Sequence, residues 1–327
     1  MFVVTGGAGF IGSNVVAALA SRGEDVVVCD WLRDDERWRN LAKHEVADVI
    51  TPESLEAWLR RHHPDVDAII HMGAISTTTE RDVDAIVRHN IRATLDLIAF
   101  CTEAGIHLIY ASSAATYGDG SRGFDDTFTS AALARLLPLN AYGWSKHVVD
   151  RRIARLVERG APLPPQWVGL KFFNVYGPNE YHKGGMQSVI AKNFATIRAG
   201  EPLRLFRSGR PDYLDGGQMR DFLYVGDCVD VILWLIQHPN VSGLFNLGTG
   251  RARTWVDLAN ALFGAIGQSC NIEFIDMPQA LAKKYQYFTE ARMLRLREAG
   301  YDRPFTSLED GVSKYVHNYL ATDDPYR

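Results

Sequence analysis

Tyr142 and Lys146 stand four residues apart in the run Tyr142-Gly143-Trp144-Ser145-Lys146. On a helix that spacing places both side chains on one face, one turn apart. An ammonium beside a phenol favours the phenolate, so the pair can serve as a general base near neutral pH. Upstream, Ser112-Ser113-Ala114-Ala115-Thr116-Tyr117-Gly118 follows an apolar strand that starts at Leu108. A hydroxyl at such a strand end, that of Ser113, points into the crevice of an open α/β sheet. A Tyr-x-x-x-Lys pair alone also describes a surface lysine beside a packing tyrosine. Its position behind a nucleotide loop decides for catalysis.

That loop opens the chain. The strand Phe2-Val3-Val4-Thr5 runs into Gly6-Gly7-Ala8-Gly9-Phe10-Ile11-Gly12 and then an amphipathic helix. Gly7, Gly9 and Gly12 fit the G-x-G-x-x-G fingerprint, with glycines for a tight turn, for approach to a pyrophosphate and for helix–strand packing. The helix N-terminus faces the anion. Asp30 ends the next strand, Val26-Val27-Val28-Cys29, where a carboxylate accepts hydrogen bonds from an adenosine ribose. A free 2′-hydroxyl there means NAD. Arg33 and Arg37 follow closely and can clamp a 2′-phosphate, which would mean NADP; they also suit a solvated loop.

The elements that position these groups alternate. Thr51-Pro52-Glu53 reads as the start of a helix towards His62, followed by the strand Ala68-Ile69-Ile70-His71, a helix over 83–104, the strand from Leu108, a helix from near Ala141, and the strand Trp167–Phe172. Such alternation predicts an α/β class: a Rossmann-like, doubly wound parallel sheet with right-handed crossovers. Residues 1–173, with returning segments within about 220–248, are expected to form the dinucleotide-binding domain. Residues 174–219 and 249–327 are expected to form a smaller mixed α/β substrate lobe. Asp221–Val225 and the helix Asp227–His238 are the segments expected to return to the main sheet.

The chain of 327 residues carries a net charge of −4, which argues against a general nucleic-acid binder. Its four cysteines are widely spaced and sit in apolar patterns, so buried free thiols are expected, with no metal site. No apolar stretch spans a bilayer and the first strand follows Met1 almost directly, so a cytoplasmic protein is expected.

Ser113, Tyr142 and Lys146 together resemble the triad of the short-chain dehydrogenase/reductase superfamily, in its extended form with a C-terminal substrate lobe. His71-Met72-Gly73-Ala74, Asn90, Phe173-Asn174-Val175-Tyr176-Gly177-Pro178 and Arg220-Asp221-Phe222 support it. Extended members act on nucleotide-activated sugars. The dehydratases among them carry Asp-Glu after the Ser/Thr position, where this chain has Ala114 and Ala115, so dehydration is disfavoured. Tyr181-His182-Lys183-Gly184-Gly185-Met186, Phe245-Asn246-Leu247-Gly248-Thr249-Gly250-Arg251-Ala252 and Tyr285-Gln286-Tyr287-Phe288-Thr289 are similar to segments of the ADP-L-glycero-D-manno-heptose 6-epimerases.

That resemblance implies transient oxidation at C6″ and re-reduction on the opposite face by a tightly held NADP, with NAD open. It implies Tyr142 and Lys183 as the two acid/base groups, assisted by Lys146 and Ser113. Cofactor contacts are implied at Gly6, Gly9, Phe10, Ile11, Gly12, Asp30, Trp31, Arg37, Met72, Gly73, Ala74, Ile75, Ser76, Asn90 and Val175, besides Tyr142, Lys146 and Lys183. Substrate contacts are implied at Ser113, Asn174, Phe206, Arg207, Ser208, Gly209, Arg220 and Tyr285. Lys192 replaces a family histidine, Pro52 a family lysine, and Arg210–Met219 reads as an insertion. A homo-oligomer, a pentamer by resemblance, is expected. A 4-epimerase or reductase of another nucleotide sugar, and a dinucleotide-sensing regulator, are the competing readings.

Overall fold

The computed structural model describes residues 1–278 and 285–327. Strands β1 (Phe2–Thr5), β2 (Val26–Cys29), β3 (Asp48–Ile50), β4 (Ala68–His71), β5 (His107–Ser113) and β6 (Trp167–Phe172) come first, with helices between most of them. Then follow β7 (Asn174–Tyr176), β8 (Leu203–Phe206), β9 (Met219–Tyr224), β10 (Gly243–Leu247), β11 (Ala252–Thr254) and β12 (Ile272–Ile275). Seven of them form one parallel sheet in the order β10-β6-β5-β4-β1-β2-β3. Strand order reverses between β1 and β4, which opens a crevice at their C-terminal ends. The fold is Rossmann-like, with a smaller mixed α/β lobe.

Both faces of this sheet are covered, so β1, β2 and β4 are buried at every position and read as unbroken apolar runs. One core lies against the helices Phe10–Ala20 and Val225–Gln237, and a second lies on the other side of the sheet around Leu97, Ile98 and Ile153. The smaller lobe has its own core, where Phe194, Leu262, Phe263, Val312 and Tyr315 pack together.

Three expectations are corrected. Strand β9 does not join the main sheet: it pairs in parallel with β7 and antiparallel with β11. The returning strand is β10, on the free edge of β6. Thr51 does not cap a helix, because Thr51–Ser54 closes a turn first and the helix begins at Leu55. Cys270 is exposed, in the loop before β12, while Cys29, Cys101 and Cys228 are buried free thiols.

Candidate active site

A cleft of about 1690 Å³ lies over the C-terminal ends of the central strands. At its floor Gly6 takes a left-handed φ of +64°, and a Cβ there would meet the Gly73 nitrogen at 2.6 Å. A Cβ on Gly12 would lie 2.1 Å from the Gly6 carbonyl oxygen, so the first helix turn can approach the loop only as glycine. Gly9 precedes that helix without any side-chain cap, leaving its first N–H groups turned to the cleft with Phe10 and Ile11 on the wall. A loop that any side chain would fill, at a helix N-terminus, fits the pyrophosphate of a dinucleotide.

Asp30 stands where β2 ends. Its carboxylate accepts from the Ala8 and Trp31 N–H groups at 3.0 and 2.8 Å, and burial raises its pKa although nearby Arg37 opposes the shift. Arg37 lines the same end but is clasped by Asp35, with Nε–Oδ1 at 2.8 Å and Nη2–Oδ2 at 2.6 Å. It lies 3.8 Å from Asp30. Trp31 donates its indole N–H to Glu53, which the sequence reading placed only in a helix start. Pro52 also lines this end and brings no charge.

Asn140 caps the helix Ala141–Glu158, its side chain accepting from Gly143 N–H at 2.8 Å, which fixes the turn carrying Tyr142. Tyr142, Lys146 and Ser113 all line the cleft. Burial raises the Tyr142 pKa and the neighbouring Ser113 hydroxyl lowers it. Burial lowers the Lys146 ammonium to about 8, with Asp150 opposing. Beneath them His71 is wholly buried between Thr5 (2.6 Å) and Thr94 (2.9 Å) and held down to about 3 by burial and by Lys146, so it is neutral. Thr94 gives its own proton to the Asn90 carbonyl, which assigns the His71 proton to Nε2.

Met72, Gly73, Ala74, Ile75 and Ser76 line the cleft, but Asn90 does not. Asn90 is completely buried, exchanging hydrogen bonds with the Ile75 backbone at 2.8 and 2.9 Å and donating to Ser145 at 3.0 Å. It braces this wall of the cleft from behind.

On the opposite lobe, Asn174, Val175, Lys183, Lys192, Arg220 and Tyr285 reach the cleft. Lys183 sits in the short 3-10 segment Tyr181–Met186 with its Nζ 4.8 Å from the Phe10 ring centre. Burial lowers its pKa, Glu180 raises it and Lys192 lowers it further. Lys192 is held by the Gly185 carbonyl. Arg220 is buried between Trp255 (5.8 Å) and Tyr285 (5.1 Å), and among the described residues no carboxylate pairs with it. A desolvated guanidinium facing a cleft without a counter-ion suits an anionic group.

Phe206, Arg207, Ser208 and Gly209 do not line the cleft, contrary to expectation. Phe206 meets Tyr285 edge-on, Arg207 turns to Asp276 and Asp215, Ser208 N–H is taken by Asp215, and Gly209 N–H donates to Tyr287. They support the aromatic wall instead. Trp255, at the start of the helix Trp255–Ile266, was missed because nothing local separates a cleft tryptophan from a core one.

The model of the NAD dependent epimerase/dehydratase family matches residues 2–248. An ADP-L-glycero-D-manno-heptose-6-epimerase of Nitratidesulfovibrio vulgaris is 52% identical over the whole of both chains, and one of Fusobacterium nucleatum is 43% identical over the same extent. Among solved structures, the ADP-L-glycero-D-manno-heptose-6-epimerase of Helicobacter pylori superposes with a TM-score of 0.78 at 26% identity, covering 97% of this chain and 95% of that one. The UDP-glucose 4-epimerase of Thermus thermophilus, in complex with NAD, gives 0.73 at 26% identity over 96% and 97%. With the glycine cradle, the Tyr142–Lys146 pair and full-length relatives agreeing, the chain belongs to the NAD dependent epimerase/dehydratase family.

Proposed function

We propose that this chain interconverts the C6″ epimers of ADP-glycero-manno-heptose, supplying the heptose precursor of the lipopolysaccharide core. The observation that carries this reading is the presence in one cleft of two separately mounted acid/base groups, Tyr142 beside Lys146 and Lys183 on the other lobe. An epimerase that oxidises a carbinol and reduces the ketone from its other face needs one such group for each orientation.

Residues 1–173 and the returning part of 220–248 hold the cofactor, and 174–219 with 249–327 hold the sugar nucleotide. Gly6 and Gly9–Gly12 would cradle the cofactor pyrophosphate and Asp30 its ribose, with Met72–Ser76 and Val175 along its length. When bound, a nicotinamide cofactor supplies an acceptor and donor of hydride. Tyr142, as phenolate, takes the hydroxyl proton from substrate while Ser113 holds the same oxygen. Lys146 stabilises that phenolate by charge. After the ketone turns over, Lys183, as the ammonium, gives a proton to the oxygen in its second orientation, and burial, which lowers its pKa, eases that release. Arg220 grips the substrate pyrophosphate between its two aromatic neighbours, with Asn174, Tyr285 and Lys192 around the sugar.

NADP is the cofactor form in this reading, with Arg33 and Arg37 at the ribose end to meet a 2′-phosphate. The protein works in the cytoplasm as a homo-oligomer. The test is to incubate purified protein with ADP-D-glycero-β-D-manno-heptose, without added cofactor, and separate the C6″ epimers. A mixture supports the reading. No conversion, with NADP and NAD then added in turn, overturns it.

A further inference from the structure

Tyr142 rides on a helix of 18 residues, whereas Lys183 sits in a segment of 6. That segment kinks at Gly184, and Gly184, Gly185 and Met186 beyond it are exposed. Support for Lys183 must come from the residues before it. There, buried Asn179 holds a left-handed φ of +72°, a conformation that persists only where the surroundings fix it.

Those surroundings include the segment 324–327. Asn179 Oδ1 accepts from the Arg327 backbone N–H at 2.9 Å, while its Nδ2 donates to Ser13 at 3.0 Å. Tyr181 donates its hydroxyl to the Pro325 carbonyl at 2.8 Å and meets the Tyr326 ring edge-on at 5.3 Å. From the other side the same segment grips the dinucleotide lobe. Lys43 pairs with Asp324 at 3.0 Å, Arg39 lies over the Tyr326 ring at 5.8 Å, and the Arg327 guanidinium donates to Asn14 at 3.1 Å. Asn14 in turn donates to the Pro178 carbonyl at 3.0 Å.

Ser13 and Asn14 belong to the helix that begins at Phe10, the ring over which Lys183 lies. The geometry points to Asp324–Arg327 as a strap that positions Lys183, clamping its turn to the helix at the cofactor cradle. The strap touches no reacting atom; it acts through Lys183 and rests on the reading of Lys183 as the second acid/base group.

Four proteins test it: the full chain, a chain ending at Asp323, Lys183→Ala, and both changes together. Each is assayed for heptose epimerisation and for melting temperature, with stoichiometric enzyme and long incubations keeping slow variants measurable. The shortened chain is expected to lose about tenfold in kcat with KM changed by less than about threefold. In the Lys183→Ala background the same truncation should cost less than about twofold, since the two act as one unit. Equal losses in both backgrounds mean an effect that bypasses Lys183 and overturn the proposal. A shortened chain with undiminished kcat overturns the strap and leaves Lys183 standing. Full activity in Lys183→Ala removes that reading, and the strap with it. Should the shortened chain not fold, Tyr181→Phe replaces it in the same cycle, deleting one hydrogen bond for an expected loss of about threefold.

Discussion

Lys171 Nζ lies 2.8 Å from Asp150 Oδ2, and neither side chain has any solvent exposure. The pair gathers its neighbours: Ser112 donates to the same Asp150 oxygen at 2.8 Å, and Lys171 donates to Thr116 at 2.6 Å. It thereby ties the helix of Tyr142 and Lys146 to the strand end of Ser113. Removing one partner strands the other charge in the core. Lys171→Met should therefore destabilise the fold by about 3–5 kcal/mol, while Lys171→Met combined with Asp150→Leu should recover much of that loss. Denaturant unfolding measures both; a Lys171→Met protein as stable as the parent would show the pair is dispensable.

Lys146, lowered by burial to about 8, sets the pH response. Below that value the ammonium is charged and, in the mechanism proposed above, favours the Tyr142 phenolate; above it the charge disappears. We expect kcat/KM to fall as pH rises through about 8. Asp150 opposes the lowering, so Asp150→Asn should move that alkaline limb to lower pH. A limb that stays put would detach Asp150 from the titration.

Gly12→Ala places a Cβ 2.1 Å from the Gly6 carbonyl oxygen, a backbone atom that cannot swing aside. The loop must open, and affinity for the dinucleotide should drop by at least about tenfold in calorimetry. Unchanged binding would mean that the cradle does not form the cofactor site.

At the Asp30 end of the cleft, Asp35 holds Arg37. Asp35→Asn should free the guanidinium and strengthen NADP binding relative to NAD by about tenfold, and Arg37→Ala should weaken it by as much. Titration of both cofactors into each variant decides. Identical ratios in all three proteins would remove Arg37 from phosphate recognition.

Arg220→Ala should raise KM for the nucleotide sugar by about 10–100-fold with kcat little changed, because the grip on the pyrophosphate proposed for it is the same in ground and transition states. Arg220→Lys should rescue little, since an ammonium lacks the two-pronged fork and flat face that fit between Trp255 and Tyr285. A fall in kcat at constant KM would place Arg220 elsewhere in the mechanism.

The sequence by itself determined the α/β class with five strands of the parallel sheet, the glycine loop and the shared helix face of Tyr142 and Lys146, because each rests on local rules. Short, largely β-branched apolar runs alternating with helical patterns fit buried strands of a parallel sheet. Gly6 to Gly12 obey a spacing imposed by one turn and one helix end, and Tyr142 and Lys146 share a helix face whatever packs around them. The tertiary structure decided what depends on partners far along the chain. It turned Asn90 into a brace behind the cleft, drew residues 206–209 out of it towards Tyr285, Tyr287 and two aspartates, and paired β9 with β7 rather than with the main sheet. Nothing in the local sequence around Lys171, Trp255 or Arg327 announces its role. Each acquires one from residues 21 to 313 positions away, which no periodicity or spacing rule can reach.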